Sequence, residues 1–458
     1  MGKRNTAKKK QKSIPDSAGK TVKGKLDITR SGMGFVIVPG EETDVLIRPT
    51  EFNTAMHGDT VRVKIKNNYG RRMQGEVIDV LERKRIEFIG HLQMNKDFAF
   101  FVMDSDKPMP DIFIPLAAIN NAKDKDRVVV RMVRWEKEDK RPVGEVVTVL
   151  DPENTNDAAM KEILLENGFP LEFPDDALEV AARIPDTISH DEIKKRRDVR
   201  HILTFTIDPV DAKDFDDAIS VKKIKDDLYE IGVHIADVSH YVEPENPLDK
   251  AAYQKATSVY LPDRVNPMLP EHISNVLCSL RPNEDKLTFS AIFNITAKAE
   301  VKQYWIGRTV MHSNRRFTYE EAQDIIETKA GDHAAEILLL NDMAQKMRKK
   351  RFNKGAINFS SQEVRFKLDE KGDPIGIMVK ESKESHQLVE EFMLLANRYV
   401  AENISKIKVN GKALPFPYRI HDTPDEENYS RSLLLPTSSV ISLILLPLRP
   451  LLRRLINY

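Results

Sequence analysis

Cysteine is nearly absent from this sequence, and an excess of either charge is absent altogether. The 458 residues include one cysteine, Cys278, which excludes an intramolecular disulfide framework and favours a reducing, cytoplasmic setting. The 71 basic and 71 acidic residues cancel to a formal net charge of zero. Any binding of a polyanion must therefore come from local basic patches.

Long apolar runs are also missing. Residues 1–19 are rich in lysine and have no apolar core, so they lack the pattern of a signal peptide and are predicted to be a disordered basic arm. The apolar stretch at residues 433–448 is shorter than the roughly 20 residues of a membrane-spanning helix, and Pro436 and Pro447 interrupt it. We expect no membrane span, and instead expect the leucines of this stretch to promote association.

An internal repeat occupies the first third of the chain. Residues 44–47 recur as 111–114 and residues 58–63 recur as 125–130, both 67 positions later. Short β-branched runs separated by turns predict two small all-β Greek-key barrels of the OB or cold-shock type, at residues 20–85 and 86–150. Four phenylalanines in these barrels either offer stacking faces for single-stranded RNA or belong to the cores: Phe35, Phe98, Phe100 and Phe101.

Residues 151–193 are predicted to be a helical connector. Asn156 or Asp157 is a candidate N-cap for a helix that stops at Gly168. The connector is followed by four basic residues, 194–197, which either meet phosphates or form a solvated helix end.

The most chemically loaded part of the sequence is a run with five aspartates: Asp208, Asp211, Asp214, Asp216 and Asp217. Carboxylates this close repel one another unless hard divalent cations neutralise them. The run therefore predicts a Mg²⁺ site, with a solvated acidic loop or a calcium loop as alternatives. A calcium EF-hand fits poorly, because its glycine and terminal glutamate are not at the required offsets.

Residues 218–221 and 229–235 read as a β-hairpin directly after the aspartates, which places the aspartates on a loop that enters a sheet. His234 and His240 bracket Asp237. This spacing invites a metal-site interpretation, but a histidine in an apolar strand is more often a hydrogen-bonded core residue, and we favour the core.

Three stretches, at residues 197–217, 260–280 and 355–397, resemble the ribonuclease II/R (RNB) family of processive 3′-to-5′ exoribonucleases. The motifs that carry the resemblance, besides the aspartate run, are Tyr260-Leu261-Pro262, Pro267-Met268-Leu269-Pro270, Cys278-Ser279-Leu280, Gly355-Ala356-Ile357-Asn358-Phe359 and Glu390-Glu391-Phe392-Met393. The resemblance implies a multidomain fold, with two N-terminal all-β OB/cold-shock barrels followed by an incomplete α+β RNB catalytic domain at residues 194–429.

The resemblance also implies an activity and roles for particular residues. The activity is Mg²⁺-dependent hydrolysis of single-stranded RNA by a monomer, with release of nucleoside 5′-monophosphates. Asp208, Asp214, Asp216 and Asp217 match the catalytic and Mg²⁺-binding carboxylates, and Asp211 is a bystander. Tyr260 matches the tyrosine that packs against the nucleotide beside the scissile bond, and Phe359 is a weaker candidate for a second RNA-binding aromatic residue.

The family pattern stops after about Tyr429. Residues 430–458 form a leucine-rich tail without a counterpart in the family, which predicts a truncated or frameshifted chain. The family's phosphate-contacting arginine segment has no match here. The alternative function is therefore a catalytically dead remnant that still binds RNA through its barrels.

Overall fold

The structure is a computed structural model, and it describes residues 19–41, 43–69, 72–104, 107–152, 154–356, 363–369 and 372–418. The chain divides into two compact units, residues 1–396 and 397–458. Phe359, the 430–458 tail and the basic arm as far as residue 18 lie outside the described residues.

The first barrel is built from strands whose side chains alternate between the core and solvent. Leu26 and Ile28 are buried while Lys25 is exposed, as expected where one strand face covers a core. The order β1-β2-β3-β5-β4 closes through pairing of β1 with β4. The strands are β1 (Thr21–Ile28), β2 (Gly34–Ile37), β3 (Val45–Ile47), β4 (Thr60–Tyr69) and β5 (Arg72–Glu82).

The second barrel repeats this plan, which confirms the internal repeat. It closes in the order β10-β8-β7-β6-β9, and its β8–β10 pair is parallel like the β3–β5 pair of the first barrel. Its core includes Phe88, Leu92 and Phe101. The strands are β6 (Glu87–Met94), β7 (Phe98–Met103), β8 (Ile112–Pro115), β9 (Arg127–Arg134) and β10 (Val143–Val149).

Three helices form the connector. Asn154 caps the first one, because its side chain accepts a hydrogen bond from the Asp157 backbone N–H at 3.0 Å. The predicted cap at Asn156 or Asp157 is therefore wrong by two or three residues, whereas the predicted stop at Gly168 is confirmed by its positive φ of 83°. The helices are α1 (Thr155–Glu166), α2 (Asp175–Ala182) and α3 (His190–Lys194).

A seven-stranded sheet in the order β11-β18-β17-β14-β13-β12-β19 follows the connector. The predicted hairpin is confirmed, since β13 and β14 pair antiparallel with Val221 opposite Ile231. Strand β12 lies between β13 and a parallel partner, β19. The strands are β11 (Arg197–Asp198), β12 (Leu203–Asp208), β13 (Asp217–Lys225), β14 (Leu228–Ala236), β17 (Glu284–Thr296), β18 (Val301–Ser313) and β19 (Arg315–Thr318).

Helices and short hairpins surround this sheet. A core that includes Leu248, Ile273, Leu280 and Met311 lies between the sheet and the segments after β14. The remaining elements of the first unit are α4 (Val238–Tyr241), α5 (Pro247–Lys255), β15 (Val259–Tyr260), β16 (Val265–Asn266), a π-helix (His272–Leu277), α6 (Tyr319–Thr328), α7 (Ala334–Asn353), β20 (Glu363–Leu368) and β21 (Pro374–Lys380). Helix α8 (Glu384–Lys406) follows, and the second unit contains β22 (Lys408–Val409) and β23 (Lys412–Ala413).

Candidate active site at the aspartate loop

The aspartate run forms the connection between two adjacent strands. Asp208 is the last residue of β12 and Asp217 is the first residue of β13, so the predicted loop entering a sheet is confirmed. Asp208 is buried and Asp217 is half-buried, whereas Asp216 is exposed. A single loop therefore holds carboxylates that range from buried, at Asp208, to exposed, at Asp216.

The carboxylates of this loop destabilise one another's charged forms. Burial raises the pKa of Asp208 to about 7, and the negative charge of Asp217 adds to this effect. Burial also raises the pKa of Asp217 to about 6, with a further contribution from Asp216. Although Asp216 as a residue is exposed, desolvation of its carboxylate by surrounding protein atoms raises its pKa, and the charge of Asp214 adds to this effect. Repulsion of this kind is what a bound cation would relieve.

The donor chemistry of the loop fits a hard divalent cation. The Oδ2 atom of Asp208 is buried without a hydrogen-bond partner, and carboxylate oxygens are the ligands that Mg²⁺ prefers. Across the described ranges, however, no three His, Cys, Asp or Glu side chains converge closely enough to hold a metal ion. The chain therefore brings suitable ligands into one loop without closing them around a single point.

Ser279 holds the backbone in the middle of the loop, at Lys213 and Phe215. Its buried hydroxyl donates to the Lys213 carbonyl at 2.9 Å and accepts from the Phe215 backbone N–H at 3.0 Å. The next residue, Leu280, donates its N–H to the Phe215 carbonyl at 2.9 Å. Residues of the Cys278-Ser279-Leu280 motif thus hydrogen-bond to the backbone on both sides of Asp214. The sequence alone did not reveal this role.

Arg316 fixes the start of the loop. Its guanidinium donates to the carbonyls of Pro209 and Val210 and lies over the Phe215 ring at 5.4 Å from the centroid. It also lowers the pKa of Asp208, against the larger effect of burial. Sequence reasoning missed Arg316, and the signal available was the pair Arg315-Arg316 in a short strand just before a helix.

Tyr260, whose contact with a nucleotide stays a prediction, lies beside the aspartates. Its hydroxyl donates to Oδ2 of Asp214 at 3.2 Å, and its side chain is 66% exposed. The hydroxyl of Tyr260 is therefore held by a hydrogen bond, while the ring is largely exposed to solvent. Phe359, the weaker candidate, lies outside the described residues.

Tyr319 is a further neighbour that the sequence did not single out. Burial raises the pKa of its phenol to about 12, and the charges of Asp217 and Asp208 contribute. The ring stacks on His386 with centroids 4.1 Å apart and an interplanar angle of 4°. The N-terminus of α6 thus borders the aspartate cluster.

The other sequence candidates are structural. His234 is fully buried between the hydroxyls of Ser290 at 2.7 Å and Ser220 at 2.8 Å, and burial lowers its pKa to about 3. The core interpretation of His234 is therefore confirmed. Arg196 is buried and pairs with Asp237 at 2.7 Å, so for this residue both predictions, a phosphate contact and a solvated helix end, are wrong.

The barrel phenylalanines divide between core and surface. Phe101 is fully buried in the second barrel, while Phe98 and Phe100 are half-buried on its outer face. These two rings contact Phe113, and the Arg141 guanidinium lies 4.5 Å from the Phe100 centroid. This aromatic and cationic face has the character of a base-stacking platform.

The architecture defines a class of protein in which two small OB-type barrels precede an α+β domain whose sheet carries a cluster of aspartates. Residues 24–80 match the ribonuclease B OB domain, residues 100–174 match the cold shock domain, and residues 196–439 match the RNB domain. The RNB match covers more than half of the sequence. This chain belongs to the RNB family, and the predicted fold class is confirmed; the residue limits predicted for each domain stay predictions.

Relatives and solved structures agree with this assignment. Ribonuclease R of Thermotoga maritima is 36% identical over 414 residues, which cover 88% of this chain and 57% of that protein. Ribonuclease R of Aquifex aeolicus is 32% identical over 446 residues, which cover 93% and 62%. The structure of Mycoplasma genitalium RNase R in complex with ribose methylated single-stranded RNA has a TM-score of 0.69 at 25% identity and covers 89% of this chain and 65% of that one.

The chain spans about 57% to 62% of the length of these two ribonuclease R relatives. Within the described ranges, no helix has the length and apolar character needed to cross a membrane.

Proposed function

We propose that this chain is a Mg²⁺-dependent, processive 3′-to-5′ exoribonuclease that hydrolyses single-stranded RNA to nucleoside 5′-monophosphates. The observation that carries the proposal is the loop between β12 and β13, where desolvation and neighbouring carboxylates raise the pKa values of Asp208, Asp216 and Asp217, and where Tyr260 hydrogen-bonds to Asp214. Membership of the RNB family supports it. We also propose that the chain acts as a cytoplasmic monomer.

The chain's own residues have separable tasks in this reaction. Asp208, Asp214, Asp216 and Asp217 would hold Mg²⁺, which when bound supplies a water of lowered pKa and neutralises charge at the cleaved phosphodiester. Ser279 holds the loop backbone around Asp214. Arg316 holds it after Asp208.

Tyr260 orients the substrate in this proposal. Its exposed ring offers a face for the base beside the scissile bond, because every base has a π-face on which an aromatic ring can stack. Its hydroxyl is tied to Asp214, so a base that stacks on the ring is placed next to the carboxylates. Stacking of this kind is tolerant of sequence, as an exonuclease requires.

The decisive experiment is digestion of a 5′-labelled single-stranded RNA by the purified chain, with Mg²⁺ and with chelator. We expect shortening from the 3′ end that needs Mg²⁺ and falls at least about a thousandfold in Asp216→Asn. The matched control is Asp211→Asn, which removes a carboxylate of the same loop and should leave the rate unchanged. Cleavage that persists in Asp216→Asn would refute the assignment of the site.

A second candidate function is RNA binding without cleavage. It is favoured by the lack of a converged ligand set in the described part of the chain and by the Phe98, Phe100 and Phe113 face of the second barrel. In this case the RNA of the same experiment stays intact but shifts on a native gel. Binding should then weaken steeply with salt, because phosphate contacts release counterions.

A further inference from the structure

A cleft of about 620 Å³ lies where the first barrel, the connector and α5 meet. It shares no lining residue with the aspartate loop. Cationic, apolar and aromatic side chains all contribute to its walls. The residues that matter here are Lys25, Lys84, Arg85, Leu81, Phe169 and Tyr253.

Positive charge in this cleft is not balanced by the protein. Partial desolvation lowers the pKa of Lys84 although the residue is exposed, and the charges of Lys25 and Arg85 lower it further, partly offset by Glu166. Arg85 is half-buried over the Phe88 ring, 5.1 Å from its centroid. Among the residues that the structure describes, no carboxylate lies within 4.0 Å of the Arg85 guanidinium. Crowded cations of this kind favour a polyanionic ligand.

The carboxylates of the lining do not remove this imbalance. Glu87 is buried and already pairs with Arg131 at 2.9 Å. Glu82 is the remaining carboxylate of the lining, against the basic residues Lys25, Lys84 and Arg85. The net charge of the cleft is therefore positive.

Lys84 is held in place by its surroundings. Its backbone N–H donates to Oδ1 of Asp59 at 3.0 Å. Its aliphatic stem lies so close to Gly58 that a Cβ there would clash with it, and its carbonyl would be 3.1 Å from a Cβ at Gly168. Both glycines have positive φ values, 91° and 83°. A barrel loop and the connector turn thus position this one lysine.

Tyr253 contributes an aromatic ring to the lining of the cleft. It lies on α5 and is 86% exposed, so its ring is open to a ligand. Leu81 and Ile86 are also exposed in the lining, at 38% and 42%. Cations beside an open aromatic ring and apolar patches match the needs of a phosphate followed by a base.

We propose that this cleft is a second RNA-binding site, in which Lys84 and Arg85 bind phosphates of a single strand and Tyr253 stacks on one of its bases. The inference rests on the proposed function, since it takes RNA as the ligand of this chain. It extends that function by a contact that holds the strand away from the site of cleavage.

The test measures binding of a 5′-fluorescein 16-nucleotide oligouridylate by anisotropy, in the full chain carrying Asp216→Asn so that the RNA stays intact. Lys84→Met with Arg85→Met should weaken binding about tenfold or more and lower the salt slope by about 1.4, or about 0.7 per phosphate contact. Tyr253→Ala should weaken binding at least about fivefold, and Tyr253→Phe should restore it.

Lys298→Met with Lys329→Met is the matched control, because it removes two exposed lysines outside the cleft and should leave binding unchanged. Cleft variants that bind like this control would overturn the second site while the proposed function stands. Failure of the Asp216→Asn parent itself to bind RNA would overturn the proposed function and the cleft with it.

Crosslinking tests the site without relying on a cleft substitution that might misfold. With 4-thiouridine in the RNA, the Asp216→Asn chain should yield an adduct on the peptide that contains Tyr253. Adducts confined to peptides outside the cleft would overturn the proposal.

Discussion

Two aspartates at the same sheet are treated in opposite ways. Asp237 follows β14 and is buried, but it pairs with Arg196 at 2.7 Å and Arg308 at 3.4 Å and accepts a hydrogen bond from Ser239 at 2.7 Å. Asp208 ends β12 and is also buried, yet among the described residues no basic side chain lies within 4.0 Å of its carboxylate, and its neighbours include further carboxylates. The negative charge of Asp237 is thus neutralised by arginines, whereas the negative charge of Asp208 is repelled by neighbouring carboxylates at comparable burial.

The pKa values follow this difference. Burial alone would raise the pKa of Asp237, but Ser239, Arg196 and Arg308 together lower it. At Asp208 burial prevails and the pKa rises to about 7. Removing one partner of a buried ion pair is costly, whereas a buried charge without a partner costs stability in the native protein, and groups of this kind cluster at functional sites. We therefore assign Asp237 to the fold, and Asp208 remains our proposal for a functional carboxylate of this sheet.

The largest expected effect is on the free energy of unfolding, through the ion pair of Asp237. Arg196→Met leaves the buried Asp237 without its shortest ion pair and should lower the free energy of unfolding of the RNB domain by about 3 to 5 kcal/mol. Arg308→Met is the matched control, because this arginine is 51% exposed and more distant from Asp237, so its loss should cost about 1 kcal/mol or less. Urea denaturation measures both. Equal losses would break the distinction between the two partners.

A smaller effect of opposite sign is expected at Asp208. Its folded-state pKa of about 7 lies above the ordinary 3.8, so the folded state loses stability as pH rises from about 4 to 7 and does not regain it above pH 7. Asp208→Asn removes this loss and should stabilise the chain at pH 8 by about 1 to 3 kcal/mol.

The measurement is the melting temperature between pH 4 and 8 in EDTA, where no cation offsets the repulsion. The curves of the parent and of Asp208→Asn should separate as pH rises and stay apart at pH 8. A variant that melts below the parent at pH 8 would contradict the assignment of Asp208 as an uncompensated charge.

The smallest expected effect concerns the support of the functional carboxylates. Ser279→Ala leaves the Lys213 carbonyl and the Phe215 N–H without their shared partner. We expect the Mg²⁺ concentration at the midpoint of the metal-induced rise in melting temperature to increase about tenfold, as is typical for residues that orient metal ligands.

Ser274→Ala is the control for this prediction. This serine lies on the π-helix and hydrogen-bonds to Pro270 and Asn275 rather than to the loop. Ser279→Cys, which keeps a weak donor, should fall between the parent and Ser279→Ala. An unchanged Mg²⁺ midpoint in Ser279→Ala would remove Ser279 from the positioning of the aspartates.

Patterns local in sequence were predictable, and they account for much of the fold. The 67-residue repeat predicted two barrels, and the polar residues 225–227 between the runs 218–221 and 229–235 predicted the β13–β14 hairpin. The aspartate loop followed from that hairpin. Each of these inferences needs only neighbouring residues, whose spacing is set by strand periodicity.

Contacts between distant segments were not predictable in this way. Ser279 reaches Phe215 across 64 positions and Arg316 reaches Pro209 across 107, and the spacing of residues carries no information about such pairings. The buried fate of Arg196 was missed for the same reason, since its partner Asp237 lies on another strand connection. The N-cap at Asn154 was missed locally, because several residues of that stretch are competent caps.

The parallel pairing of β12 with β19 has a consequence for how the protein is made. Thr204 and Asn314 are joined by a hydrogen bond across 110 positions of sequence, and Asp208 pairs with Thr318. At a ribosomal rate of about 5 to 20 residues per second, β12 waits roughly 5 to 20 seconds for its neighbour. During that interval the emerging barrels can already fold, while the aspartates have no completed sheet to hold them. Synthesis from the N-terminus therefore allows the two barrels, which we propose bind RNA, to fold before the sheet that carries the proposed cleavage site is complete.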